Sequence, residues 1–303
     1  MKGVLVIGGA LLRAVGLVAA IAIVVFLLLR TVPGDVVDVM AAQGDLNAAQ
    51  QAALRAELGL DGGLLHQFGH WAAALSSGQL GQSLRFGRPV AEMVATALPV
   101  TLGFAAMAFA LGLVLAMALA IGAVLLPRSM LPGLVEAINL WSIAMPTFVA
   151  GMGAILVFSL WLGWLPVIGN LPVPVVILGL DIAGQLAKPL LEELREAMAA
   201  PHVRTARAKG LHPVRIALAH VLPAALPVLL ALSSVTLAGL IGGTMTMEAL
   251  FGLPGLGSLV LNAVHGRDLP VVQAVVLVLA VGVVAINAGA DALRRLADPR
   301  LTS

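Results

Sequence analysis

Six stretches of this chain run for the length of a bilayer crossing with little or no charge, and that pattern constrains its fold more than anything else in it. A hydrocarbon core needs about 20 apolar residues per helical crossing, and every backbone amide inside it must bond within its own segment. The stretches are residues 12–29, 98–125, 137–160, 172–190, 223–246 and 269–292. Composition agrees: 60% of residues are hydrophobic and 11% charged, against about 45–50% and 25% in soluble domains. The expected fold is all-α, a polytopic membrane protein of one domain (1–303) with about six transmembrane helices. Cysteine is absent, which excludes disulfides and thiolate chemistry. The formal charge of +2 gives no case for nucleic acid.

The placement of the 17 basic residues sets an orientation. With the amino terminus inside, only Arg30, Arg55, Arg85, Arg88 and Arg267 fall outside, a positive-inside bias that makes both termini cytoplasmic. Arg13 interrupts the first apolar run and Arg30 follows it, so a retained span is expected rather than a cleaved signal peptide. Trp161-Leu162-Gly163-Trp164-Leu165-Pro166 reads as an aromatic belt and turn between the third and fourth spans. Residues 31–95 are too polar to cross and form an extracytoplasmic insertion between helices 1 and 2. Within it, residues 47–58 have amphipathic helical periodicity and Gly59 is placed to stop the helix.

Residues 191–222 form the most basic loop on the inner side. Arg204, Arg207 and Lys209 would each cost about 2.5–3.5 kcal/mol in hydrocarbon. Ala197, Met198, Ala199, Ala206 and Ala208 favour helix, Gly210 allows a turn that a β-carbon would resist, and Pro213 and Pro223 suit helix starts.

This segment, with Arg204-Thr205-Ala206 in place of a leading Glu-Ala-Ala and Gly210 followed by Leu222-Pro223, resembles the ATPase-docking loop in permease subunits of bacterial ATP-binding-cassette importers. Its form is similar to the dipeptide, oligopeptide and nickel branch. Two more segments follow that branch in order and spacing. One is Leu54-Arg55-Ala56-Glu57-Leu58-Gly59-Leu60-Asp61, then Gly78-Gln79-Leu80-Gly81-Gln82-Ser83-Leu84 and Arg88-Pro89-Val90. The other is Gly242-Gly243-Thr244-Met245, Glu248, Phe251-Gly252-Leu253-Pro254-Gly255-Leu256-Gly257, Arg267-Asp268, Pro270-Val271-Val272-Gln273 and Asp298-Pro299-Arg300.

The resemblance implies a subunit of the bacterial inner membrane that forms a pathway with a second permease, a homologue as is usual in this branch. It also implies two ATP-binding subunits and an extracytoplasmic substrate-binding protein. Glu196, Arg204, Thr205, Ala206, Arg207, Lys209 and Gly210 become the docking residues. The chain has no Gly-x-x-x-x-Gly-Lys-Ser/Thr phosphate loop, so ATP and Mg belong to the partners; it binds no cofactor and is not itself an enzyme. Peptides are the first substrate class. Nickel or a metal chelate is the alternative, because Ile241-Gly242-Gly243-Thr244-Met245 resembles the nickel-importing members.

Asp181 and Gln185 lie one helical turn apart inside the fourth span and depart from the less polar face usual in the family; with Met245 and Glu248 they are candidates for the pathway or gate. Glu248 is expected to pair with Arg267. Phe251, Pro254, Gly255, Gly257, Arg267 and Asp268 belong to an extracytoplasmic loop in which Gly255 and Gly257 supply the flexible dihedrals. His66 and His70 have metal-sharing spacing without a completing ligand, and Met145, Met198, Met245 and Met247 read as packing residues. A different class, an ion-coupled secondary transporter, would need intramembrane acids, for which Asp181 is the candidate. A membrane protease or transferase lacks a constellation at common depth.

Overall fold

The computed structural model describes residues 2–31, 37–38, 41, 47–57 and 62–297, and its named elements are all helical. Residues 58–61 and 298–300 of the expected motifs lie outside the described residues. The side chains of Lys2, Arg30, Arg294 and Arg295 do too. The chain divides into two compact units, one of Met1–Val100 with Pro254–Val284 and one of Thr101–Leu253 with Ala285–Ser303.

The first unit carries α1 (Lys2–Thr31), then α2 (Ala48–Glu57) and α3 (Leu64–Ser76) of the insertion. Asn47 starts α2 with a capping box: its Oδ1 accepts from Gln50 N and its N donates to Gln50 Oε1, both at 2.9 Å. Phe26 of α1 is buried against Phe68 and Trp71 of α3, with ring centroids 5.2 and 5.5 Å away. The start of α4 (Val90–Leu125), α11 (Leu256–His265) and the first part of α12 (Leu269–Ala297) share a core of Val90, Val94, Ala97, Leu256, Ala263, Val271 and Val275.

In the second unit α5 (Leu131–Ala144), α6 (Thr147–Ala154) with its π-helical extension Ile155–Trp161, and α10 (Leu222–Phe251) pack on α7 (Pro172–Ala199). Leu178, Ile182, Leu186, Leu190 and Leu194 repeat every four residues down α7, each at most 2% exposed. Glycines set the closest approaches: a β-carbon on Gly184 would lie 2.6 Å from the Ile138 carbonyl oxygen, and one on Gly112 2.5 Å from Ile182. This is the small-residue packing of membrane helices, where lipid offers no hydrophobic drive to associate.

Among the described residues four helices are long and apolar enough to cross: Val90–Leu125, Pro172–Ala199, Pro213–Phe251 and Leu269–Ala290. The apolar section of α1 described at side-chain level is Leu12–Leu28. The third expected span, 137–160, is not one straight helix but a pair, Leu131–Ala144 and Thr147–Trp161, bent by 99°. Pro146 has no amide to donate and drives Met145 out of the helical region, to φ −107°, ψ 108°. Counted as one span, the pair is the fifth.

Candidate functional site

Residues 191–222 are less of a loop than their charge suggests, because α7 continues to Ala199. Leu191 and Leu194 stay in the core, while Arg195 and Glu196 are exposed. Ala200 breaks to extended backbone and Pro201 opens α8 (Pro201–Ala208) from its first position, where the missing amide costs nothing. Val203 and Ala206, three residues apart, are buried in the same core as Leu194 and Ile216. Ala206, expected among the docking residues, is therefore an anchor facing its own chain, 4% exposed. Arg204, Thr205, Arg207, Lys209 and Gly210 are exposed on the other side.

A Schellman motif ends α8. Leu211 N donates to Ala206 O at 3.3 Å and Gly210 N to Arg207 O at 2.9 Å, with Gly210 at φ +72°. Leu211 packs on the core that holds Ala206. His212 then caps α9 (Pro213–Ile216), its Nδ1 accepting from Val214 N at 3.4 Å. π-helical turns over Ala217–Val221 join α9 to α10 without a break, so one helical column runs Pro213–Phe251. The basic face is thus held between two long membrane helices by buried apolar anchors and a fixed turn.

On α7 a polar stripe climbs from that segment into the span. Glu196, Glu192 and Gln185 are exposed, and Lys188 and Asp181 half-buried, at spacings of three and four residues that put them on one face. Gln185 Nε2 donates to Asp181 Oδ2 at 2.9 Å. The opposite face of the same helix is the core of the unit. Asn139, which sequence reasoning missed, donates from Nδ2 to Gly184 O at 2.9 Å and ties α5 to α7; an asparagine inside an apolar run was the available signal.

Met245 is half-buried and Glu248 fully buried near the end of α10. Glu248 and its expected partner Arg267 belong to different units. The left-handed residue of the following turn is Gly252, at φ +62°, not Gly255 or Gly257. Leu253 N returns to Glu248 O at 2.8 Å, and a β-carbon at Gly252 would meet Ile168 Cγ2 at 2.8 Å. Gly255 is extended and precedes α11, Gly257 is buried within α11, and Phe251 is buried. Asp268, 1% exposed, accepts hydrogen bonds from Ser83 Oγ, Leu84 N and Arg85 N, so it shapes a turn 184 residues away in sequence from Leu84. His66 and His70 are exposed with rings 4.5 Å apart, and among the described residues no three His, Asp or Glu group to hold a metal.

Residues 108–303 match the family model described as binding-protein-dependent transport system inner membrane component. Over 302 residues the chain is 34% identical to a putative peptide transport system permease protein of Brucella abortus (strain 2308), covering 95% of this chain and 96% of that one. It is 32% identical over 297 residues to the glutathione transport system permease protein GsiC of Escherichia coli O6:H1, covering 95% and 97%. A chain of the MetNI methionine ABC transporter, solved in inward-facing conformations, aligns with a TM-score of 0.56 at 21% identity, over 68% of this chain and 96% of that one. This last likeness is one of fold.

Proposed function

This chain belongs to the family of binding-protein-dependent transport system inner membrane components, the permeases of ATP-binding-cassette importers, and we propose that it carries peptides by coupling to ATPases through α8. The ion-coupled carrier is set aside by the family. Relatives named for peptide and glutathione transport support peptides over nickel as the substrate class.

The observation that carries the coupling reading is the two-sided build of α8. Val203 and Ala206 lock it to the core, and Arg204, Thr205, Arg207 and Lys209 are left outward beside a rigid glycine turn. Such a lever moves as one body with α7 and α10, so a push on its basic face is delivered to the membrane spans. Arg204 and Arg207 offer planar donors to carboxylates on a partner, and Glu196 flanks them.

In this reading two ATP-binding subunits supply ATP and Mg, a second permease completes the pathway, and a binding protein delivers substrate from outside. Both termini are cytoplasmic. The stripe from Gln185 and Asp181 to Glu192 faces the pathway, since a carboxylate at that depth persists only where water, a partner or substrate compensates it. The test is uptake of labelled peptides by the reconstituted importer with its binding protein. ATP-dependent peptide accumulation is the expected result; accumulation of nickel but of no peptide refutes the substrate assignment.

A further inference from the structure

Arg85 and Arg88 directly flank a Phe86-Gly87 tip, on a turn held by several hydrogen bonds. Its ends meet at the Gln82 and Pro89 bridge, Ser83 N donates to Arg88 O at 2.9 Å, and Phe86 N donates to Ser83 Oγ at 3.0 Å. The buried Asp268 carboxylate holds the same turn from below through Ser83, Leu84 and Arg85. The Arg85 guanidinium lies 5.2 Å from the Phe86 ring centroid and rests across Gly266, where a β-carbon would come within 2.9 Å of its Cδ and Nη1. Arg88 reaches Glu92 at 3.8 Å, with both side chains more than 60% exposed, a contact too solvated to hold it.

These two arginines open onto a cleft of about 420 Å³ whose other walls are Phe86, Met93, Leu259 and Asn262. The cleft is mainly apolar behind a cationic mouth, and it sits at the first turn of the Val90–Leu125 span. On its wall Phe86 exposes 52% of its surface. Both arginines also run against the positive-inside bias, which makes their pairing on one rigid turn harder to attribute to topology.

We propose that this cleft is a binding site for an anionic phospholipid, the phosphodiester held by Arg85, Arg88 and the Asn262 amide, and the glycerol and upper acyl carbons against Met93, Leu259 and Phe86. Guanidinium groups suit a phosphate by paired hydrogen bonds, and their aliphatic stems lie along apolar surface while the heads stay at the interface. The turn held by Asp268 fixes the backbone that carries both arginines, so less is lost on binding than from a free loop. The leaflet assigned, the outer one, rests on the orientation proposed above. Lipid retention does not depend on sidedness, so the two readings fail separately.

The purified importer, complete with its partner subunits, is titrated with phosphatidylglycerol and the bound lipid counted by native mass spectrometry. An Arg85→Gln, Arg88→Gln double variant weakens retention roughly 25-fold, about fivefold for each arginine near an anionic headgroup. An Arg13→Gln, Arg128→Gln variant, which removes the same charge outside both this cleft and the docking segment, retains lipid as the native chain does, and phosphatidylcholine does not compete. Equal retention by both variants overturns the site. Displacement of the lipid by inorganic phosphate at equal concentration makes it a free-anion site instead. Loss of affinity for the binding protein with lipid retention intact makes the arginines a protein contact, which also overturns the proposal.

Discussion

Replacing Gly210 separates backbone geometry from surface contact at the segment proposed to couple to the ATPase. Gly210 sits at φ +72°, and a β-carbon built there meets nothing within 4 Å. The whole intramolecular cost of a side chain is therefore conformational, about 1–2 kcal/mol for an ordinary L-residue in the left-handed region, and more for a β-branched one. That is a loss of roughly 5–30-fold in the population holding the Leu211 to Ala206 bond. Gly210→Val should fray the end of α8, turn the basic face out of register and uncouple uptake while the permease stays inserted. Gly210→Asn should keep most coupling, because asparagine tolerates this region. The assay is ATPase co-purification and peptide uptake at matched membrane abundance. Wild-type behaviour of Gly210→Val would refute the reasoning. Failure of Val and Asn to the same degree would show that the ATPase needs an absent side chain there, not a left-handed turn.

Gly184→Val should cost about 1–3 kcal/mol or more, because its β-carbon would press on the backbone of α5 at Ile138; reduced abundance and lower melting temperature of the detergent-purified permease measure it. Asp181→Leu should lower uptake at matched abundance with the ATPase still bound, although added apolarity favours insertion; full transport would remove the acid from the pathway. Single cysteines at Ser76 and Ser258 should react with an impermeant thiol reagent from outside, and one at Thr205 only after permeabilisation; labelling of Thr205 in intact cells would invert the orientation.

The apolar spans were legible because burial in lipid leaves one strong signal, the absence of charge, and the observed helices 90–125, 172–199 and 222–251 contain the expected stretches. The bend at Met145-Pro146 was overlooked because hydropathy is blind to it: both residues are apolar, and the information lies in the missing proline amide. Gly210 was readable as a turn since it stands alone at the end of an alanine-rich helix. Near Gly252 three glycines and a proline fall within six residues, and only the length of α10 decides which takes the left-handed position. The side of α8 that faces inward could not be read from charge. Ala206 lies between Thr205 and Arg207 yet is buried, because α8 is only two turns long and its anchors are set by contact with Leu194 and Ile216. The carboxylate of Asp268 under the turn at Ser83 depends on a contact across most of the chain, beyond any local pattern.

The central claim, that α8 presents one face to an ATPase and keeps the other for its own core, is tested most directly by cysteine cross-linking along it. In the assembled importer, cysteines at Arg204, Thr205 and Arg207 should cross-link to the ATP-binding subunit, and cysteines at Val203 and Ala206 should not, matching exposure and burial residue by residue. Cross-links from Val203 or Ala206 in a folded complex, or none from the three exposed positions, would contradict it.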